Sequence, residues 1–272
     1  MAKLSVLMSI YIKEKPEYVE ECFKSLLEQT EKANEWVIVE DGPLSKELYE
    51  ILDRYQERYP NLIKRVPLKE NQGLGLALRA GIPQCSNELI ARMDTDDIAR
   101  FDRFEKQLQA FAEDEDLDIC GSNISEFETD ISDIVAHRNV PAEDLDIKRY
   151  QKRRDAFNHV TVMYKKSSVL AAGNYQSCPL MEDTLLWVHM IQNNAKCKNI
   201  MEPLVYVRIG HDMFERRGGL SYLKKYSSAR KTILQTGYIT KGDYYYTVII
   251  QLIVALLPTF IRGWVFKSLL HR

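Results

Sequence analysis

The sequence predicts an α/β fold: a mostly parallel sheet flanked by helices, followed by a C-terminal helical extension. Three observations carry this expectation. Short runs of β-branched and large apolar residues alternate with helical stretches through the first half of the chain. The helical stretches carry apolar residues at helical spacing, so each has a face to lay on a sheet. Beyond Gly218-Gly219 the character changes to a basic, aromatic helical segment and then to a long apolar run. At 272 residues the chain can bury a sizeable core, and residues 1–219 are expected to form the main domain, with 220–272 as the extension.

Leu4–Tyr11 reads as a strand, Glu17–Gln29 as a helix and Trp36–Val39 as a second strand, which together make a βαβ unit. The apolar run that opens the chain is broken by Lys13, Glu14 and Lys15 and has no small-residue cleavage site, so it reads as a strand and not as a signal peptide. The alternation continues with a charged helix over Lys46–Arg58, a strand over Ile63–Pro67, a helix over Leu74–Gly81 and a buried strand over Leu89–Met93. A helix over Arg103–Ala112 and a strand over Asp118–Ser122 complete the regular part. From Ile124 to Pro141 the pattern loosens, and a helix resumes over Asp144–Arg153. His159–Tyr164 reads as a strand, Ser167–Ala172 and Thr184–Asn193 as helices, and Leu204–Arg208 as a strand.

Composition excludes more than it identifies. A formal charge of −2 gives no pull toward nucleic acid. The five cysteines are scattered, with no CxxC pair and no histidine at zinc spacing, which fits a reducing cytoplasm.

The chemistry-bearing string is Ala91-Arg92-Met93-Asp94-Thr95-Asp96-Asp97, in which a strand ends in three acids within four positions. Such crowding costs free energy unless a cation neutralises it, and oxygen ligands suit Mg²⁺ or Mn²⁺. The competing reading is a cluster of capping acids for the helix at Arg103.

Asp94-Thr95-Asp96 resembles the DxD motif, in its DxDD form, of the family 2 glycosyltransferases, which have the GT-A (Rossmann-like) fold. Three further strings agree in order. Val37-Ile38-Val39-Glu40-Asp41-Gly42 resembles the family's base-recognising strand and turn, Asn71-Gln72-Gly73-Leu74-Gly75 its loop below the nucleotide, and Met181-Glu182-Asp183 its ED motif. The resemblance runs from about Leu4 to Gly219. It implies a bacterial polysaccharide-biosynthesis enzyme using a nucleotide-diphosphate sugar. In that reading Asp41 accepts the imide N–H of a uracil base, with Glu40, Asn71 and Gly73 beside the nucleotide. Arg92, Asp94 and Thr95 approach the diphosphate, and Asp94 and Asp96 hold the metal. Asp183 is the catalytic base, and Glu182 orients the acceptor. A single in-line displacement by one base implies inversion. His211 completes the metal site, Arg216 and Arg217 contact the diphosphate, and His159 forms a wall on the acceptor side. The QxxRW signature of processive members is absent, which implies transfer of a single sugar.

Each motif also has a plainer reading: an Asp-Gly turn at Asp41, an acidic helix start at Glu182-Asp183, an ion pair at Arg92, a solvated charge run at Arg216-Arg217. Two other classes compete. A nucleotidyltransferase would need a glycine-rich, lysine-bearing loop after the first strand, and Ser9-Ile10-Tyr11-Ile12 has no glycine. A non-catalytic nucleotide-sugar-binding module fits poorly with Asp94, Asp96 and Asp183 together.

Tyr244, Tyr245, Tyr246 and Trp264 bracket the apolar run Tyr244–Ile261, with lysines and arginines nearby, which is the pattern of an interfacial segment. The expectation is a cytoplasmic protein resting on the inner face of the plasma membrane, where a lipid-linked saccharide acceptor would be found. A buried helix or a homodimer contact is the alternative for the tail.

Overall fold

The computed structural model describes residues 2–210 and 219–257. Its first strand, β1 (Leu4–Ile10), is almost wholly buried, as a central strand covered on both faces must be. Helix α1 (Pro16–Leu27) starts on a proline at its first turn and buries Val19, Cys22, Phe23 and Leu26. Strands β2 (Glu35–Glu40), β3 (Ile63–Pro67) and β4 (Leu89–Arg92) join β1 in parallel, in the order β3-β2-β1-β4. Between them run α2 (Lys46–Arg58) and α3 (Leu74–Gly81).

The twofold alternation of strand side chains divides the core. Val6, Met8 and Ile10 of β1, with Trp36 and Ile38 of β2, pack against α1, α2 and the later helix α4 (Arg103–Glu113). Leu7, Val37 and Val39 point to the other face, against α3 and α7 (Glu182–Gln192). The result is a helix–sheet–helix sandwich.

Past β4 the sheet changes sense. Strand β8 (Met163–Lys165) pairs antiparallel with β4 and with β6 (Leu117–Phe127), and β9 (Lys196–Arg208) runs parallel to β6. The two-residue strand β5 (Ile98–Ala99) pairs antiparallel with the end of β9. The parallel sense, expected for most of the sheet, thus holds among β3, β2, β1 and β4 and again between β6 and β9, with β8 and β5 running antiparallel to their neighbours. The loosened segment Ile124–Pro141 contains the end of β6 and a hairpin to β7 (Ile134–Arg138). The pattern hid it because β6 buries Ser122, Asn123, Ser125 and Glu126. Buried polar side chains need hydrogen-bond partners, and Asn123 finds them in the Met201 carbonyl (2.7 Å) and the Val140 amide (2.9 Å). The expected strand at His159–Tyr164 also needs correction. His159–Thr161 form a 3₁₀ turn, and pairing begins only at Met163. Thr161 Oγ1 accepts the Ser122 amide at 2.9 Å, which holds the turn against β6. Helices α5 (Asp144–Tyr150) and α6 (Lys166–Ala171) fill the outer layer.

The chain closes with α8 (Gly219–Gln235) and α9 (Lys241–Leu256). Ala229, Ile233 and Ile239 pack on Cys178, Met181, Leu185 and Val188, so α8 lies directly on α7. Thr240 and Asp243 form a reciprocal capping box that starts α9. Buried Arg230 donates to Thr247 at 3.1 Å and ties the two helices together. The opposite face of α9 exposes Tyr245, Tyr246, Ile249 and Ile253. No helix among the described residues is long and apolar enough to cross a membrane; the expected apolar run continues past Leu257, outside the described residues.

Ile233 has no exposed surface, and truncating such a side chain costs about 2–5 kcal/mol. Ile233→Ala is expected to lower the urea unfolding midpoint of the whole protein. An unchanged midpoint would mean that the terminal helices add nothing to the stability of the domain.

Candidate functional site

Parallel strands deliver their C-terminal ends to one side of a sheet, and the loops beyond those ends gather there. The loop after β1 brings Tyr11 and Glu14, the turn after β2 brings Asp41, and the segment after β4 brings Asp94, Asp96 and Asp97. Ser9, Tyr11, Glu14, Asp41, Asn71, Gly73, Leu74, Asp94 and Asp96 line one cavity of about 340 Å³. A larger groove of about 710 Å³ lies around Lys3, Leu108 and Lys165 and contains none of the motif residues.

Asp41 is 3 % exposed and organises its own corner of the cavity. Its carboxylate accepts the amides of Gln72 (2.7 Å) and Gly73 (3.0 Å) and the side chain of Asn71 (3.0 Å). An ionised carboxylate can accept about four hydrogen bonds, so capacity for one more remains. Gly42 makes the approach possible: its φ is +84°, and a Cβ there would lie 2.6 Å from the Asn71 nitrogen. Glu40 does not join the cavity as expected. It is buried and ion-paired with Arg65, which also bonds Asp53, so its charge holds β3 to β2.

Oxygen atoms of Asp94, Asp96 and Asp97 lie within 4.8 Å of one another. Asp97 accepts the Arg208 amide at 2.8 Å. Burial, then the charge of Asp94, pushes Asp96 up to about 6. Burial, then Asp96 and Asp94, pushes Glu14 up to about 8, and Asp97 is raised by burial and then by Asp96. These acids are poorly neutralised by the protein itself. An all-oxygen donor set of this kind fits a hard divalent cation.

Two expected diphosphate contacts are corrected by burial. Arg92 is 1 % exposed and lies beneath the acids, where Nη2 pairs with Asp94. Its Nε and Nη1 find no partner among the described residues, nor does Thr95 Oγ1, which is equally enclosed. Their side chains support the acidic segment from within and do not reach the cavity. His211, Arg216 and Arg217 lie outside the described residues.

Asp183 stands on the first turn of α7. Burial, then the nearby charge of Asp155, pushes it up to about 7. His159 Nδ1 is 3.9 Å from Asp183 Oδ2, and its Nε2 is 2.9 Å from the Tyr175 hydroxyl. Burial, followed by Arg92, holds His159 well below its ordinary value, so it is neutral near pH 7 and forms no true ion pair. Glu182 packs on α3, where a Cβ at Gly75 would lie 2.6 Å from its Cγ; only glycine leaves that space. Leu180 precedes the motif with φ at +76°, a conformation costly for a non-glycine residue and often found at functional sites.

The sequence reading counted Asp97 among the crowded acids but did not name it as a metal ligand, and it missed Glu14, Asp155 and Arg208. Glu14 was legible, because it sits in the loop after the first strand of an open α/β sheet. Arg208 was not. It stacks 3.9 Å over Tyr18, pairs with Glu21 and donates to the Asp96 carbonyl at 3.2 Å, all across long sequence separations.

Comparison with known proteins agrees with this geometry. Residues 5–170 match the family model described as glycosyl transferase family 2. The chain is 41 % identical over 222 residues, 82 % of each chain, to an uncharacterized glycosyltransferase of Haemophilus influenzae. It is 36 % identical to the UDP-Gal:alpha-D-GlcNAc-diphosphoundecaprenol beta-1,3-galactosyltransferase of Escherichia coli, covering 99 % of this chain and 97 % of that one. A mannosyltransferase from Pyrobaculum calidifontis, solved with GDP-Man and Mn²⁺, superposes with a TM-score of 0.65 at 12 % identity, covering 96 % of this chain and 72 % of that one. The fold, the order of the motifs and these matches together place the chain in glycosyltransferase family 2.

Proposed function

We propose that this glycosyltransferase moves a single hexose, with inversion, from a UDP-sugar to a hydroxyl of a lipid-linked saccharide in bacterial surface-polysaccharide assembly. The observation that carries the proposal is the one cavity in which Asp41, Asn71 and Gly73 meet Asp94 and Asp96. The first three suit a nucleobase. Asp94 and Asp96, with Asp97 and Glu14 beside them, would hold a divalent cation. When bound, that cation supplies positive charge to the donor diphosphate as the nucleotide leaves.

Asp183 takes the acceptor proton. A base works best with a value near the working pH, and Asp183 at about 7 meets that condition. Glu182, held against α3, orients the acceptor. The Escherichia coli relative, matched over nearly its whole length, acts by its name on a diphosphoundecaprenol-linked sugar, which supports an acceptor of the same kind. The exposed apolar face of α9 supports contact with the inner face of the plasma membrane, because such a face can enter the headgroup layer.

UDP-galactose with an N-acetylglucosamine-diphosphate lipid is the first pair to test. Asp183→Asn is expected to leave donor affinity near wild type and to cut turnover by about 100-fold or more, while Asp96→Ala abolishes the Mn²⁺ dependence of UDP binding. Wild-type turnover in the first variant, or undiminished Mn²⁺-dependent affinity in the second, would defeat the respective assignment.

The acids also set a pH dependence. Glu14 and Asp96 bind protons more tightly in the fold than in the unfolded chain. Their protonation therefore stabilises the metal-free protein at low pH, and that contribution fades as pH rises through about 6 and then about 8. Mn²⁺ is expected to raise the melting temperature much more at about pH 8.5 than at about pH 5.5, since metal and protons compete for the same oxygens. Equal shifts at both values would contradict the site. For the membrane contact, Ile249→Glu combined with Ile253→Glu is expected to abolish co-sedimentation with phosphatidylglycerol-containing vesicles; unaltered recovery would assign the face elsewhere.

A further inference from the structure

The residue that caps the N-terminus of α7 is Met181, which offers no side-chain oxygen to the first turn. Asp155 supplies an acceptor there: its Oδ1 takes a hydrogen bond from Thr184 Oγ1 at 2.5 Å. The loop that carries Asp155 is fastened on several sides. Fully buried Gln151 accepts the Ala156 amide at 2.8 Å, and Arg138 Nη2 donates to the Asp155 carbonyl at 3.1 Å. From the terminal helices, Arg230 donates to the Lys152 carbonyl at 2.7 Å, and Asp243 accepts from Arg153 at 2.6 Å.

We propose that Asp155 is a positioning residue for sugar transfer, fixing the first turn of α7 through Thr184 and setting a second negative charge beside Asp183. The inference rests on Asp183 being the base. Asp183 is faced by Glu182 on its own helix, Asp155 from the loop after α5, Arg92 from β4 and His159 from the turn before β8. Tyr175 and Cys178 face it from the segment leading into α7. His159 is neutral, and burial raises both the Tyr175 hydroxyl and the Cys178 thiol, which keeps them neutral as well. The carboxyl groups of Asp155 and Glu182 thus act on Asp183 in one direction and the Arg92 guanidinium in the other. Burial is the largest cause of its rise to about 7, and Asp155 comes next. Two carboxylates close together cannot both ionise at their ordinary values, so Asp155 makes Asp183 a stronger base than burial alone would. Because Arg230 and Asp243 hold the same loop through Lys152 and Arg153, the terminal helices share in keeping this carboxylate in place.

The test is a carboxyl-carbon NMR titration of the full-length protein labelled with ¹³C-aspartate, in which the Asp183 signal is assigned by its loss in Asp183→Asn. The wild-type midpoint is expected near 7. In Asp155→Asn it falls by about one pH unit, and the acid limb of the turnover profile with UDP-galactose moves down with it while the KM for donor holds. Thr184→Val keeps the charge and removes the bond, so turnover drops while the midpoint stays high; this variant serves if Asp155→Asn does not fold. An unmoved midpoint in Asp155→Asn, or wild-type turnover in Thr184→Val, overturns the role of Asp155 even if Asp183→Asn is inactive. Wild-type turnover in Asp183→Asn would remove the base itself, and this inference with it.

Discussion

Mutual repulsion among Glu14, Asp94, Asp96 and Asp97 is the constraint around which the site is arranged. Four carboxylates meet where β1 and β4 end, half enclosed, and three of them are held well above their ordinary values by burial and by one another. A fold tolerates such a cluster only with compensation close by. Arg92 lies beneath Asp94 with no exposed surface to speak of. Arg208 reaches the Asp96 carbonyl and gives its amide to Asp97. The remaining deficit suits the divalent cation proposed above, and it explains why the floor of the site is so heavily braced.

That bracing draws on the part of the sheet that departs from the parallel pattern. Arg208 ends β9, a strand paired with β6 and, through the two residues of β5, with the chain just beyond the acids. The parallel half presents Asp41 and Asp94 from the ends of β2 and β4, on either side of β1, and the mixed half closes behind them. On the side of the cavity proposed for the nucleobase, Asp41 performs a similar task, gathering the loop at Asn71–Gly73 onto its carboxylate. Binding groups in this protein are first of all structural groups with some capacity left over.

The region around Asp183 is built differently. Asp183 owes its basicity to enclosure and to Asp155, and the loop bearing Asp155 is tied to α8 and α9. The terminal helices therefore do more than cover α7. They hold in register the segment that shapes the proposed base, while the outer face of α9 exposes Tyr245, Ile249 and Ile253. An attachment to a membrane through that face would leave the first turn of α7, with the proposed base, mechanically connected to the surface where the proposed lipid-linked acceptor would lie.

Local chemistry made much of this legible in advance. The alternation of apolar runs and amphipathic helices determined the layered sheet, because each period of burial is written in adjacent residues. The acids at 94, 96 and 97, the Asp-Gly turn at 41 and the acidic start of α7 were likewise visible as strings. Tertiary structure alone decided which of these charges are available. Glu40, Arg92 and Thr95 stand beside motif residues yet are consumed by burial or by Arg65, and no local pattern separates a side chain that faces a cavity from its neighbour that faces the core. The same holds for β6, whose buried Asn123 satisfies itself on distant backbone at Met201 and Val140, and for Asp155 and Arg208, whose partners lie far along the chain. Sequence fixes periodicity and chemical type; the sign and strength of each group's environment arise only when remote segments are packed together.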